Sequence, residues 1–315
     1  MSLPTRAIGS LSVSTVGLGC NNFGGRIDEE QTRQVVAAGL DAGITFFDTA
    51  DIYGGTRSEE FLGKALGPRR SEVVLATKFG MPIDDRRKGA KPAYVHSALE
   101  DSLRRLGTDH VDLYQLHAPD PETPIADTLA ALDEQVRAGK VREIGCSNFS
   151  AEQLRQASAA VAAGAARFVS VQNEYSILHR RPEDEVLAEC QSEGLAFIPY
   201  YPLARGLLTG KYRRGQPPPA GSRLSHGGAE QYERLATDDN LQAVERLEAL
   251  AARHGRSLVE LAVAWLLARP CVASVIAGAT SPEQVRANAE AADWQLGPEE
   301  LAEVDEVVAP AAVRV

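Results

Sequence analysis

Four side chains within the first 117 residues are of the right types to move a proton together: Asp48, Tyr53, Lys78 and His117. Each follows a short apolar run. Phe46-Phe47 leads into Asp48-Thr49-Ala50-Asp51-Ile52-Tyr53-Gly54, Leu75-Ala76-Thr77 into Lys78, and Leu113-Tyr114-Gln115-Leu116 into His117. A phenol with its ordinary pKa near ~10 donates poorly at neutral pH, and an ammonium close by favours the phenolate and lowers that value. Lys78 would tune Tyr53 in this way. Asp48 would keep Lys78 charged and oriented, while His117 would hydrogen-bond a substrate oxygen beside a hydride donor. The chemistry implied is carbonyl reduction, or alcohol oxidation in reverse. Taken singly, each residue has an ordinary alternative: a helix cap, a rim aromatic, a solvated lysine, a structural imidazole. They act together only if successive strands aim them at one volume.

The rhythm of the chain supplies such strands. Apolar runs at 16–19, 44–47, 73–76, 111–116, 141–145, 168–171, 195–199 and 272–276 alternate with helical patterns at 29–42, 58–66, 93–106, 123–138, 151–163, 182–193, 240–254, 258–268 and from Pro282. Eight short strands without polar alternation read as parallel strands buried on both faces. The expected fold is α/β, a single (β/α)8 TIM barrel of one domain over residues 1–315, with a doubly wound open sheet as the alternative. Gly107, Gly139, Ser150 and Ser281 stand where helix caps and turns belong. Two pieces fall outside the rhythm: residues 5–15, a hairpin around Gly9-Ser10 closing the barrel floor, and 213–237, a long irregular loop after the seventh strand. Further helices follow at the carboxyl end. In a barrel, residues just after the strands face the C-terminal mouth, where active sites form.

Composition narrows the function. The chain has 315 residues, 44% hydrophobic and 24% charged, ordinary for a globular protein. A net charge of −10 disfavours a broad nucleic-acid surface. Cys20, Cys146, Cys190 and Cys271 lie far apart without a CxxC or histidines at ligand spacing, so no zinc site or disulfide framework is expected. No run suits a signal peptide or a bilayer span, which points to a cytoplasmic protein without membrane contact. Two nucleotide motifs fail on inspection. Gly17-Leu18-Gly19-Cys20-Asn21-Asn22 puts Asn22 where a dinucleotide turn needs its third glycine, and Gly206-Leu207-Leu208-Thr209-Gly210-Lys211-Tyr212 is one residue short of a P-loop. No Gly-x-Ser-x-Gly or HExxH appears, so hydrolase and metalloprotease readings lack a motif.

With these residues in view, the sequence resembles the aldo-keto reductase superfamily over nearly its whole length, and in particular its long-loop branch. The segments 47–54, 76–78 and 115–117 carry the resemblance, with Ile144-Gly145-Cys146-Ser147-Asn148-Phe149 and Tyr200-Tyr201-Pro202-Leu203-Ala204-Arg205-Gly206 running on to Tyr212. The resemblance implies a (β/α)8 barrel, a tetrad of Asp48, Tyr53, Lys78 and His117, and Tyr53 as general acid. It also implies a cofactor, NADP(H), with NAD(H) as the variant. Ser147, Asn148 and Gln172 match the residues that hold the nicotinamide carboxamide, and their groups both give and accept hydrogen bonds. Tyr200 matches the aromatic stacked on the nicotinamide, and Tyr201, Pro202, Leu203, Ala204 and Arg205 the segment facing the pyrophosphate. At the adenosine end, Gly278, Thr280, Gln284 and Asn288 fall in the matching stretch, with Gln284 and Asn288 four apart on one helix face. Lys211 matches a phosphate-facing lysine and Arg223 an arginine of the long loop, while Cys20 and Asn21 line the mouth.

The match departs from some branches at two positions. Gly278 and Gln284 stand where those branches place Lys and Arg against the extra phosphate, so Lys211, Arg223 and Arg286 become the compensating charges. The partner expected is a small-molecule carbonyl or alcohol, in a pocket walled by 22–26, 81–91, the residues after His117 and 213–237. The substrate, the reaction direction and the oligomeric state are not written in the sequence. Two other functions fit the same scaffold: a sugar dehydrogenase or sugar-nucleotide ketoreductase, and a nucleotide-sensing subunit with slow turnover, because 200–212 also resembles potassium-channel β-subunits.

Overall fold

A computed structural model describes residues 3–308, so both ends of the domain expected over 1–315 lie outside the described residues. Strands β1 (Thr5–Ile8) and β2 (Leu11–Ser14) form the hairpin, turning at Gly9 with φ +57° and pairing Ile8 with Leu11. The barrel then runs β3 (Val16–Gly19), α1 (Glu29–Asp41), β4 (Phe46–Asp48), α2 (Arg57–Leu66), β5 (Val74–Phe79), α3 (Pro92–Leu106), β6 (Val111–Leu116) and α4 (Ile125–Arg137). It continues with β7 (Val141–Ser147), α5 (Ala151–Ala160), β8 (Phe168–Glu174), α6 (Val186–Glu193) and β9 (Ala196–Tyr200). After β9 come α7 (Arg223–His226), α8 (Gly228–Leu235), α9 (Asp238–Arg253), α10 (Leu258–Leu267), β10 (Val275–Gly278), α11 (Pro282–Glu290) and α12 (Pro298–Val308).

Eight strands, β3 to β10, lie side by side and parallel, and β10 pairs back onto β3 in register from Val275 opposite Val16 to Gly278 opposite Gly19. The seam between β9 and β10 is closed by the residues just before β10: the Phe197 amide donates to the Cys271 carbonyl at 2.7 Å, and Ala273 donates to Phe197 at 3.0 Å. An open doubly wound sheet is thereby excluded.

Alternation along each strand divides the core in two. Phe46, Val74, Ala76, Leu113, Ile198 and Ile276 fill the barrel interior together with Ile8, Leu11 and Val13 of the hairpin, which seal its floor. Leu75, Phe79, Tyr114 and Ile144 face outward into the layer beneath the helices. Burying a side chain of this size contributes ~1.5–3 kcal/mol each, so the barrel is a filled scaffold whose upper rim alone is free for chemistry.

Several boundaries differ from the sequence expectation for a common reason. Strands β5, β7 and β8 run on to Phe79, Ser147 and Glu174, past the apolar runs, because the polar residues at their ends turn into the barrel mouth. The 213–237 stretch is not one irregular loop. Ser222 caps α7 by accepting from the Ser225 amide, and buried Leu224 and Leu235 anchor α7 and α8. Ser150 and Ser281 cap α5 and α11 as expected, and Gly107 ends α3 at φ +64°.

Candidate active site

The ends of β4, β5 and β6 bring the four expected residues together. Lys78 is fully buried; its Nζ donates to Asp48 Oδ1 at 2.5 Å and to the Thr49 carbonyl at 2.8 Å. The other oxygen, Asp48 Oδ2, accepts from Gln172 Nε2 at 2.9 Å and Gln115 Nε2 at 3.0 Å. Asp48 is therefore no helix cap; the helix that follows starts after Thr56. The Lys78 ammonium lies 5.1 Å from the Tyr53 ring centre, and the Tyr53 and His117 rings meet edge to face at 5.7 Å.

Electrostatics corrects one expectation. Burial pushes the Tyr53 phenol above its ordinary value, and the pull of Lys78 only offsets part of this, with Asp48 opposing it. The reason is that the phenolate of the half-buried Tyr53 would lose much of its hydration, while the cation beside it is already committed to Asp48. Lys78 itself loses by burial but is carried above the ordinary lysine value by Asp48 and Tyr53, so it stays charged. His117 is held down to about 3, first by burial and then by Lys78, which leaves a neutral imidazole. Its Nδ1 has no hydrogen-bond partner among the described residues.

These groups open onto a cavity of about 710 Å³ at the strand ends, in the size range of small-molecule and cofactor sites. Tyr53, His117 and Asp48 line it, as do Cys20, Asn21, Ser147, Asn148, Gln172, Tyr200, Tyr201, Pro202, Leu203, Arg205, Lys211, Arg223, Gly278, Thr280, Gln284 and Asn288. Ala204 does not; its side chain is buried in the outer core. Lys78 sits beneath the wall.

The donor set along this cavity fits a nicotinamide nucleotide. Ser147 donates to the Gln172 carbonyl at 2.7 Å, and Asn148 holds the His117 carbonyl at 2.9 Å while accepting from the Tyr200 hydroxyl at 2.8 Å. Gln172, expected to hold a carboxamide, gives its amide hydrogen to Asp48 and so also braces the tetrad. Asn148, Tyr201, Ala204 and Arg205 all have φ between +45° and +63°, strain of a kind that persists at ligand-binding backbone. Arg205 pairs with Glu174 at 3.2 Å and stacks 4.0 Å from the Tyr201 ring, so its charge is spoken for. Arg26, Lys211 and Arg223 line the cavity with no carboxylate at ion-pair distance among the described residues, an arrangement that suits a phosphate. Arg223 instead donates to Asn21 Oδ1 and Asn22 Oδ1 at 3.3 and 3.1 Å. Arg286, expected as a compensating charge, pairs with Glu283 at 3.7 Å outside the cavity wall.

Arg26 and Asn22 were legible only as parts of a wall, since nothing in their spacing separates them from solvated residues. Gln115, inside a matching motif, carried no assigned role.

A family model described as "Aldo/keto reductase family" matches residues 15–309. The chain belongs to the aldo/keto reductases. Among its reductase relatives, the aldo-keto reductase yakc of Schizosaccharomyces pombe, whose name carries NADP(+), is 37% identical, covering 85% of this chain and 81% of its own. A probable voltage-gated potassium channel subunit beta of Oryza sativa subsp. japonica is also 37% identical, over 91% and 90%. Among solved structures, a glycerol dehydrogenase of Gluconobacter oxydans superposes with a TM-score of 0.86 at 30% identity, covering 99% of this chain and 97% of the other. This reductase is thus an oxidoreductase on a (β/α)8 barrel. No helix among its described residues is long and apolar enough to cross a membrane.

Proposed function

We propose that this aldo/keto reductase reduces aldehydes or ketones to alcohols, with Tyr53 donating the proton and NADP(H) as cofactor. The observation that carries this reading is the buried Asp48–Lys78 pair set beneath Tyr53 and a neutral His117 at the wall of one cavity. When bound, the nicotinamide nucleotide supplies or takes the hydride. Ser147, Asn148 and Tyr200 would hold its nicotinamide end, Gln284 and Asn288 its adenine end, and Arg26, Lys211 and Arg223 its phosphates.

The chain's own groups do the rest. A neutral His117 donates one hydrogen bond to the substrate oxygen without competing for the proton. Tyr53 gives its hydroxyl proton to that oxygen as negative charge builds there, and Lys78 stabilises the phenolate left behind, a stabilisation worth more in a site with little water. Asp48 and its two glutamine props keep Lys78 aimed. Ile52 and Met81 present apolar walls to the carbonyl substituents.

Tyr53→Phe should abolish turnover while nucleotide binding, followed by quenching of protein fluorescence, survives. Titration with NADPH against NADH, then a panel of aldehydes, ketones, sugars and polyols, would identify the cofactor and substrate class. The similarity to a channel subunit beta favours a second reading, a nucleotide-sensing subunit with slow turnover. A stoichiometric partner with negligible turnover across the panel would select it.

A further inference from the structure

Behind the tetrad, on the outer face of the barrel wall, lies a buried polar cluster that the proposed chemistry does not use. Asp51 stands three residues after Asp48 and two before Tyr53, with its amide donating to the Lys78 carbonyl at 3.1 Å. It is 1% exposed, and no described residue makes a well-formed hydrogen bond to either carboxylate oxygen, the Ile52 amide exerting only a minor pull that favours the charge. Around it, α2 contributes Glu59, α3 contributes Tyr94 and Arg105, β6 contributes Tyr114 and β5 contributes Lys78. Asp84 and Arg87, paired with each other at 2.8 Å, face Tyr94 from the loop after β5.

The charges in this layer do not balance. Arg87 is taken up by Asp84, and the Nε of Arg105 is bound to Glu59 at 2.7 Å, while Thr77 Oγ1 donates to the second Glu59 oxygen at 2.5 Å. A second carboxylate, Asp51, beside this pair has no counter-ion at ion-pair distance among the described residues. A buried acid in that position takes up a proton rather than bear an uncompensated charge. The Tyr94 and Tyr114 hydroxyls, also buried and unpartnered, line the same place.

We propose that Asp51 is a positioning residue: a buried carboxyl that holds a proton in the working enzyme, and whose ionisation weakens Tyr53 as a proton donor through Lys78. Burial and the Glu59 charge carry Asp51 up to about 7, so its ionisation falls within the working range of the protein. Once ionised, it adds negative charge behind the Lys78–Tyr53 pair, which holds the phenol proton more tightly. A unit charge added nearby, acting through an effective permittivity of about 20, shifts a proton equilibrium by up to roughly tenfold.

Because this builds on Tyr53 as the donor proposed above, the test includes a readout independent of turnover. Infrared difference spectra of the full chain between about pH 6 and about pH 8, one unit either side of the Asp51 value, should show loss of a protonated-carboxyl band that Asp51→Asn lacks. Over the same interval kcat/KM for carbonyl reduction should fall by about fivefold in the native enzyme, most of a full tenfold effect, while Asp51→Asn holds the low-pH rate throughout. Glu59→Gln, which releases Arg105 to Asp51, should move that fall to lower pH. Absence of the band, or an Asp51→Asn profile merely scaled down equally at every pH, overturns the proposal. If Asp51→Asn does not fold, the native band and its displacement in Glu59→Gln decide the matter. Failure of the underlying reading looks different: turnover surviving in Tyr53→Phe, which overturns the kinetic half alone.

Discussion

Arg26 reaches from the loop after β3 to the 213–237 segment, where its Nη2 donates to the Gly221 carbonyl at 2.8 Å. The contact joins two walls of the cavity at a point where Lys211 and Arg223 also gather, and among the described residues no carboxylate lies at ion-pair distance from the three. Burial followed by Arg223 depresses Arg26, and burial followed by Arg26 depresses Lys211, the mark of cations crowded without an anion.

Arg26→Met should therefore weaken NADPH binding by about tenfold, the loss of one charge-assisted contact, and flatten its dependence on salt. Fluorescence titration at two ionic strengths measures both. Unchanged affinity would place the phosphates elsewhere.

Lys78→Met leaves Asp48 buried with only neutral donors. Removing one partner of a buried pair costs about 3–5 kcal/mol, whereas replacing both by apolar groups of similar volume is often close to neutral. Urea unfolding should show a large loss in Lys78→Met and recovery of much of it in Asp48→Leu/Lys78→Met, although both variants should be inactive. Equal stability of the single and double variants would contradict this account.

His117 is neutral when folded and ordinary when unfolded, so the two states bind protons differently only below the unfolded value near ~6.5. Its folded value of about 3 lies lower, so stability must fall as pH drops through that window, by about 3 kcal/mol near pH 4. His117→Asn should lose correspondingly less stability between neutral and acid conditions in parallel denaturant titrations. Parallel curves for the two proteins would refute the assignment.

Gly63 of α2 lies where an added Cβ would stand 2.3 Å from the Leu106 carbonyl oxygen, with the Leu106 carbonyl carbon at 2.6 Å. Backbone cannot swing aside as a flexible side chain can. Gly63→Ala should cost about 1–3 kcal/mol and lower Tm without changing nucleotide affinity.

The barrel and tetrad were legible because both depend on local patterns. Buried parallel strands lack polar alternation, and a polar residue straight after each run is forced into the mouth, which is how Asp48, Lys78 and His117 could be placed before any coordinates. Residues whose roles depend on distant partners were not legible. Arg26 acquires Gly221 and Arg223 as neighbours only through the fold of 213–237, and Gln172 meets Asp48 because β8 lies four strands from β4, on the opposite side of the eight-stranded barrel. The direction of the Tyr53 shift was missed for a related reason: spacing tells which charge is near, whereas desolvation depends on everything packed around it. Ser222 ordering α7 escaped notice because prolines and glycines on either side dominate the local composition.

Ile8, Leu11 and Val13 have a consequence for traffic. With these three side chains acting as a stopper, the vessel has no drain, so whatever comes in at the top must also go out at the top. Turnover then becomes a queue at a single doorway rather than a flow, and a slow-departing occupant blocks the next arrival.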